Sequence, residues 1–96
     1  MKLVLVAYTE AIDNALMEVC SEAGAETYTK WTKVLGVGEA SGPHLASHIW
    51  PKANNVIAIC VDDAVAKELM KGIRRLRKEF RHEGVKAFVL PVEEVT

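Results

Sequence analysis

The sequence predicts an α+β fold in which four strands and two helices follow one another in the order βαββαβ. Four short runs are rich in apolar, β-branched and aromatic residues, as strands are. Two longer stretches repeat apolar residues at steps of three and four, as helices do. Since the chain has 96 residues, we expect one domain that spans residues 1–96.

The first half of the chain predicts a strand, a helix and a second strand. Residues 2–8 form an apolar run that is typical of a strand. Thr9 is a candidate N-cap, and apolar residues then recur at helical spacing as far as Gly24, the expected C-cap. Residues 26–35 follow as a second strand, because Thr, Tyr and Trp are frequent there.

The second half predicts a strand, a helix and a last strand. Residues 55–61 are almost wholly apolar, and either Asp62 or Asp63 caps the helix that follows. Gly84 is expected to end this helix, and residues 86–92 form the last strand. The apolar stripe of the helix consists of Val65, Leu69, Ile73, Leu76 and Phe80.

This order is that of the ferredoxin-like fold, a four-stranded antiparallel sheet with two helices on one face. Such sheets usually have the strand order 4-1-3-2, which places the first and third strands in the centre. Pro91 in the last strand agrees with this order, because proline is tolerated at a sheet edge and not in its centre.

Both faces of the two central strands are apolar, although two helices cover only one face of a sheet. An uncovered apolar face would be larger than monomers usually tolerate. We therefore expect further copies of the same chain to cover it. The alternatives are an unrelated partner, or residues 39–54 folded back over the sheet, whose large apolar residues are Leu45, Ile49 and Trp50.

The charge balance argues against a polyanionic partner. The formal net charge is -1, so no global field attracts the chain to nucleic acid or to a membrane surface. The second predicted helix is rich in lysine and arginine, and we interpret it as a solvated outer face with stabilising charge pairs; a nucleic-acid patch is the alternative. Its cationic residues are Lys71, Arg74, Arg75, Arg77, Lys78 and Arg81.

Location and thiol state follow from two further patterns. The first apolar run is too short to span a bilayer, and no signal-peptide pattern follows it, so we expect a cytoplasmic protein without membrane insertion. Cys20 and Cys60 lie within apolar patterns, which predicts two buried free thiols.

Several segments resemble the P-II nitrogen-signalling proteins. Residues 84–95 read GVKAFVLPVEEV, which is similar to the last strand of that family. Residues 33–38, KVLGVG, resemble its turn from the second strand into a long loop, and Pro51-Lys52 resembles the exit of that loop. The element order resembles the family over the whole chain.

The resemblance implies a homotrimer with nucleotide sites between subunits and long loops, here at about residues 37–54, that contact target proteins. Carried over residue by residue, Gly36 and Gly38 lie at the loop base and Lys86 lies at the turn before the last strand. We add Glu39 at the loop base and Arg81 near the turn as candidate ligand-binding residues.

The sequence also departs from the family pattern. Val37 and Gly38 replace the basic residue and the glutamine of the loop base, and Val85 replaces a glycine beside the turn lysine. The loop has no tyrosine. Since the sequence ends at Thr96, we expect it to lack the family's C-terminal segment, whose arginines bind phosphate.

His44 and His48 are four residues apart, a spacing that places both imidazoles on one face of a helix or a strand. Zinc, copper or nickel could bind there if Glu39 or a second subunit supplied more ligands. The alternative is that both histidines are solvated or pack under Trp50.

We therefore expect a trimeric, P-II-like small-ligand sensor that regulates a partner protein through residues 39–54. The alternatives are a transition-metal-binding trimer that resembles copper-tolerance proteins and a structural adaptor without a ligand. Catalysis is not expected, because neither a nucleophile–base set nor a complete P-loop is present. The sequence does not identify the ligand; an adenine nucleotide or another anion is the first candidate, and a divalent transition metal is the second.

Overall fold

The computed structural model describes residues 1–37 and 53–96, and within them it contains one four-stranded sheet and two α-helices. The predicted βαββαβ order is confirmed. A short 3-10 turn, Glu10–Ile12, precedes the first helix. The elements are β1 Lys2–Thr9, α1 Asp13–Ala23, β2 Thr29–Val34, β3 Asn54–Val61, α2 Asp63–Glu79 and β4 Val85–Pro91.

The sheet has the strand order β2-β3-β1-β4, and every neighbouring pair is antiparallel. This is the predicted order, with β1 and β3 in the centre. Pro91 is the last residue of the edge strand β4, where a missing backbone donor costs least. The register places Leu5 between Ala58 of β3 and Phe88 of β4.

The core lies between the sheet and the two helices. Alternate residues of the central strands point into it, and Val4, Val6, Ile57 and Ile59 are completely buried. The helices contribute apolar side chains at helical spacing, so the predicted stripe of α2 is largely confirmed. The buried helical residues are Ile12, Leu16, Cys20, Ala66, Leu69, Gly72, Ile73 and Leu76.

The helix ends differ in part from the prediction. Asp62 is the N-cap of α2, where its carboxylate accepts the Val65 backbone N–H at 2.8 Å. Helix α2 ends at Glu79, before Gly84, so that glycine does not terminate it. Gly24 caps α1 in the left-handed conformation that glycine favours, as predicted.

Thr9 is the N-cap residue of the 3-10 turn that leads into α1, as its position predicted, but its side chain does not cap the helix. The 3-10 turn separates Thr9 from α1, and the hydroxyl makes no cap hydrogen bond. Instead Thr9 Oγ1 accepts the backbone N–H of Gly84 at 3.0 Å, and the Thr9 N–H donates to the Gly84 carbonyl at 2.9 Å. These bonds fasten the turn before β4 to the end of β1.

The two helices approach each other closely at Gly72. A Cβ atom added there would lie 2.5 Å from Cγ1 of Val19 on α1, so only glycine fits without movement. Neither helix is long and apolar enough to cross a membrane; this holds for the part of the chain that the structure describes.

The second strand is shorter than predicted, and the register of β2 against β3 shifts between Trp31 and Val34. Lys33 takes a positive φ of 56° at this irregularity. Both cysteines are free, and Cys20 is buried as predicted. Cys60 is exposed, contrary to the prediction, because it lies on the sheet face that carries no helix.

Candidate functional site

The sheet face that points away from the helices, here called the open face, is apolar over most of its area. The strand registers place its side chains in rows that cross the sheet. Phe88 is 52% exposed and Leu90 is 41% exposed, which is unusual for such large apolar side chains. The open face comprises Leu3, Leu5, Ala7, Thr29, Trp31, Val56, Ala58, Cys60, Lys86, Phe88 and Leu90.

One row of the open face begins with a cation and ends with an indole. Lys86 of β4 is opposite Ala7, Ala7 is opposite Val56, and Val56 is opposite Trp31 of β2. Both ends of the row are solvent-exposed in the single chain. Three strand spacings separate them, or about 14 Å.

Gly36 lies at the same end of the sheet, on the side of β2 and β3. Val34, two residues earlier, pairs with Asn54 at the start of β3. A Cβ atom on Gly36 would lie 2.7 Å from the Asn54 side-chain nitrogen, so the absence of a side chain permits this close approach. The loop base and Lys86 are thus on opposite sides of one sheet end.

Arg81 lies in the turn between α2 and β4, and it is exposed. The turn is ordered by a hydrogen bond from the Glu83 N–H to the Phe80 carbonyl at 3.0 Å, and by the bonds between Thr9 and Gly84. It leads directly into β4, so Arg81 and Lys86 both belong to the β4 side of the sheet.

The remaining predicted site residues, Gly38, Glu39, His44 and His48, lie outside the described residues. Most of the predicted loop at about 37–54 does so as well. Within residues 1–37 and 53–96, no group of three or more histidine, cysteine, aspartate or glutamate side chains could hold a metal ion.

A polar cluster beside the core was missed by sequence reasoning. The Asp13 carboxylate accepts hydrogen bonds from the Tyr8 hydroxyl, from Lys30 Nζ at 2.9 Å and from Asn55 Nδ2 at 3.3 Å. The cluster joins β1, α1, β2 and β3 at the same end of the sheet as the loop base. No periodic pattern signals it, because Lys30 and Asn55 are far from Asp13 in the sequence, and Tyr8, five residues from Asp13, lies on a different element.

Burial and hydrogen bonding shift the pKa values of Tyr8 and Asp13 in this cluster. Burial of Tyr8 raises its pKa, and the hydrogen bond to Asp13 raises it further. Burial would also raise the pKa of Asp13, but the hydrogen bonds from Lys30 and Tyr8 outweigh it and hold that pKa below its usual value. Asp13 is therefore a carboxylate and Tyr8 a neutral donor at neutral pH, which suits a structural role.

A shallow pocket of about 170 Å³ lies beside the polar cluster, at the junction of β1, the start of β3 and the turn before β4. This volume is smaller than the roughly 300 Å³ at which pockets for drug-sized ligands begin. This pocket alone is therefore too small to enclose a nucleotide. The pocket is lined by Thr9, Glu10, Ala11, Ala53 and Glu83.

These features define a ferredoxin-like domain with an open apolar sheet face and a polar rim at one end. The chain belongs to the nitrogen regulatory protein P-II family, whose sequence model matches residues 1–96. It is a PII-like signalling protein, in agreement with the resemblance of its last strand.

Solved structures agree with this family. A protein of Thermus thermophilus described as a putative PII-like signalling protein is 25% identical, with a TM-score of 0.65, over 93% of this chain and 83% of that one. CPII, a nitrogen regulatory PII-like protein of Thiomonas intermedia bound to ADP, AMP and bicarbonate, is 17% identical, with a TM-score of 0.68, over 99% of this chain and 94% of that one. No curated protein matched the sequence.

Proposed function

We propose that this protein is a homotrimeric small-ligand sensor that binds an anion between subunits and regulates a partner protein through the loop at about residues 37–54. The observation that carries the proposal is the position of Gly36 and Lys86 on opposite sides of one sheet end. Gly36 lies against Asn54 of β3 and Lys86 lies on β4, with β1 between these two strands, so we expect a small ligand to contact both only between subunits. Such a contact is possible if the β4 edge of one subunit meets the β2 edge of the next.

The open face supplies the driving force for this assembly. It carries Phe88, Leu90 and the apolar residues of the central strands on the side opposite the helices. Burial of such a surface is favourable by about 25 cal/mol for each Å² of apolar area. Contacts that repeat head to tail close into a ring if the rotation between neighbouring subunits is one third of a turn, and three identical sheets can then cover one another.

The charge at the rim selects the ligand class. Lys86 and Arg81 are exposed cations on the β4 side, so the cleft suits an anion. ADP, AMP and bicarbonate, which are bound by the related CPII, are all anions, and this supports their choice as the first ligands to test. A ligand held at Gly36 would touch the chain where the loop leaves the sheet. Ligand binding could then select a loop conformation that a partner protein recognises.

The first test is the mass of the protein in solution. Sedimentation velocity and native mass spectrometry at low micromolar concentration should give three times the 10.6 kDa mass of one chain. A stable monomer would remove the cleft and the proposal with it.

The second test is a thermal-shift series with ATP, ADP, AMP and bicarbonate on the wild type, on Lys86→Gln and on a matched control, Lys2→Gln. Lys2 lies at the other end of β1, opposite Val61 and Pro91. A ligand at 100 times its Kd stabilises a protein by about 2.7 kcal/mol. The shift should persist in the control and fall in the Lys86 variant. Equal shifts in both variants would contradict the assigned site.

Zinc, copper and nickel salts in the same screen test the alternative in which His44 and His48 bind metal.

A further inference from the structure

We propose that the outward face of α2 is a docking surface for an acidic helix of a partner protein. Four cations lie there at successive steps of four, three and four residues, which places them in one line along a helix. The line extends over eleven residues, or about 16 Å. We call this line the basic stripe; it consists of Lys67, Lys71, Arg74 and Lys78.

The basic stripe points away from the core. The buried residues of α2, among them Leu69, Ile73 and Leu76, lie on the opposite side of the helix. All four cations of the stripe are exposed. Because the helices cover the sheet face opposite the open face, assembly through the open face leaves the stripe in solvent. The inference therefore goes beyond the proposed function and does not depend on it.

Within the described residues the stripe keeps most of its charge; Lys67 lies near Asp63, but the ion-pair partner of that carboxylate is the N-terminal ammonium group. Lys71 forms an ion pair with Glu68 at 3.3 Å, in which both side chains are more than half exposed. Such surface pairs contribute little. For Arg74 and Lys78, neither segment 1–37 nor segment 53–96 provides an ion-pair partner. In the part of the chain that the structure describes, the stabilising charge pairs expected for the cations of α2 are thus reduced to the pair of Lys71 with Glu68.

Acidic residues border the stripe on the side that faces α1. Glu18, Glu22 and Glu79 line the shallow groove between the two helices, together with Arg75. A nucleic-acid duplex or an anionic bilayer presents negative charge over a broad area, which would press phosphates against these carboxylates. A partner whose carboxylates lie in one narrow line can contact the stripe without approaching these glutamates. A partner helix with acidic residues at steps of four, three and four has this form, because it shares the pitch of α2.

The test uses two synthetic helical peptides of identical composition. In the first, four glutamates follow the steps of the stripe on an alanine and glutamine background; in the second, the same glutamates are spread around the helix. Fluorescence anisotropy at low salt should show the first peptide binding on the order of tenfold more tightly, and added salt should weaken it. Equal affinity for both peptides would overturn the proposal.

Two double variants on the same helix locate the binding. Lys71→Gln with Lys78→Gln should weaken binding of the first peptide on the order of tenfold, or about 1.4 kcal/mol. The matched control, Arg75→Gln with Arg77→Gln, removes the same charge away from the stripe and should change affinity less than about twofold. Circular dichroism melting verifies that both variants fold. Equal losses in the two variants would overturn the proposal. So would tighter binding of a thymidine oligonucleotide or of phosphatidylserine vesicles than of the first peptide.

Discussion

The contact between α1 and α2 at Gly72 yields a quantitative prediction for Gly72→Ala. Alanine is favoured over glycine inside a helix by about 0.8–1.0 kcal/mol, so at an open site this change would stabilise the protein. At Gly72 the new Cβ would lie 2.5 Å from Val19 Cγ1, and overpacking of this kind costs about 1–3 kcal/mol. The two effects together predict a net destabilisation of about 0–2 kcal/mol.

A double-mutant cycle with Val19→Ala separates the two effects. Once the valine methyl groups are removed, Gly72→Ala should stabilise the protein by about 1 kcal/mol, which gives a coupling energy of about 1–3 kcal/mol. Urea unfolding of the four proteins at one fixed chain concentration measures this energy. The reasoning is refuted if Gly72→Ala stabilises the wild type, or if the two changes are additive within about 0.5 kcal/mol.

Three further changes test other features of the molecule. In Gly36→Ala, the added Cβ would approach the Asn54 side chain to 2.7 Å, so that side chain should be displaced and amide exchange at the end of β2 should become faster. The further change Asn54→Ala should restore slow exchange. An unchanged exchange rate in Gly36→Ala would contradict the close approach. Asp13→Asn should cost about 1–3 kcal/mol at neutral pH, because it weakens hydrogen bonds to a charged acceptor. The pKa of Asp13 is lower in the folded than in the unfolded protein, so the stabilisation by Asp13 is present above the unfolded pKa and is lost as pH falls through the folded pKa. The free energy of unfolding of Asp13→Asn should therefore fall less in acid than that of the wild type. The same fall with pH in both proteins would be evidence against the cluster. Leu5→Glu on the open face should reduce the sedimenting mass to that of one chain, whereas the control Ala64→Glu on the exposed surface of α2 should leave the mass unchanged. An unchanged mass in Leu5→Glu would exclude the open face as the interface.

The fold was predictable because its signals are local and periodic. Continuous apolar runs predicted the central strands, the apolar stripe predicted α2, and Pro91 agreed with the edge position of β4. The failures occurred where a distant residue competes for a local group. The Thr9 hydroxyl bonds to Gly84, 75 residues away, instead of capping a helix. Cys60 follows an apolar pattern, yet it is exposed, because the pattern does not say which face the helices cover.

The residues of the candidate site remain a prediction, and the sequence did not indicate how they are arranged. The resemblance of the last strand pointed to Lys86, and the glycine-rich exit of β2 pointed to Gly36. Their placement on opposite sides follows only from the sheet order and register. The Asp13 cluster gave no sequence signal, since Asp13 reads simply as an acidic residue near a helix start. A hydrogen-bonded cluster of this kind depends on several elements meeting, which no window of the chain contains.

The separation of Gly36 from Lys86 also has a thermodynamic consequence. A ligand that needs both edges binds only to the assembled protein, so ligand binding and assembly must strengthen each other to the same degree. Dilution should therefore weaken the apparent affinity for an anionic ligand, and the ligand should lower the concentration at which the assembly dissociates. A ligand held wholly by Lys86 and Arg81 of one subunit would show neither effect. Titrations at several chain concentrations thus distinguish a site between subunits from a site on one of them.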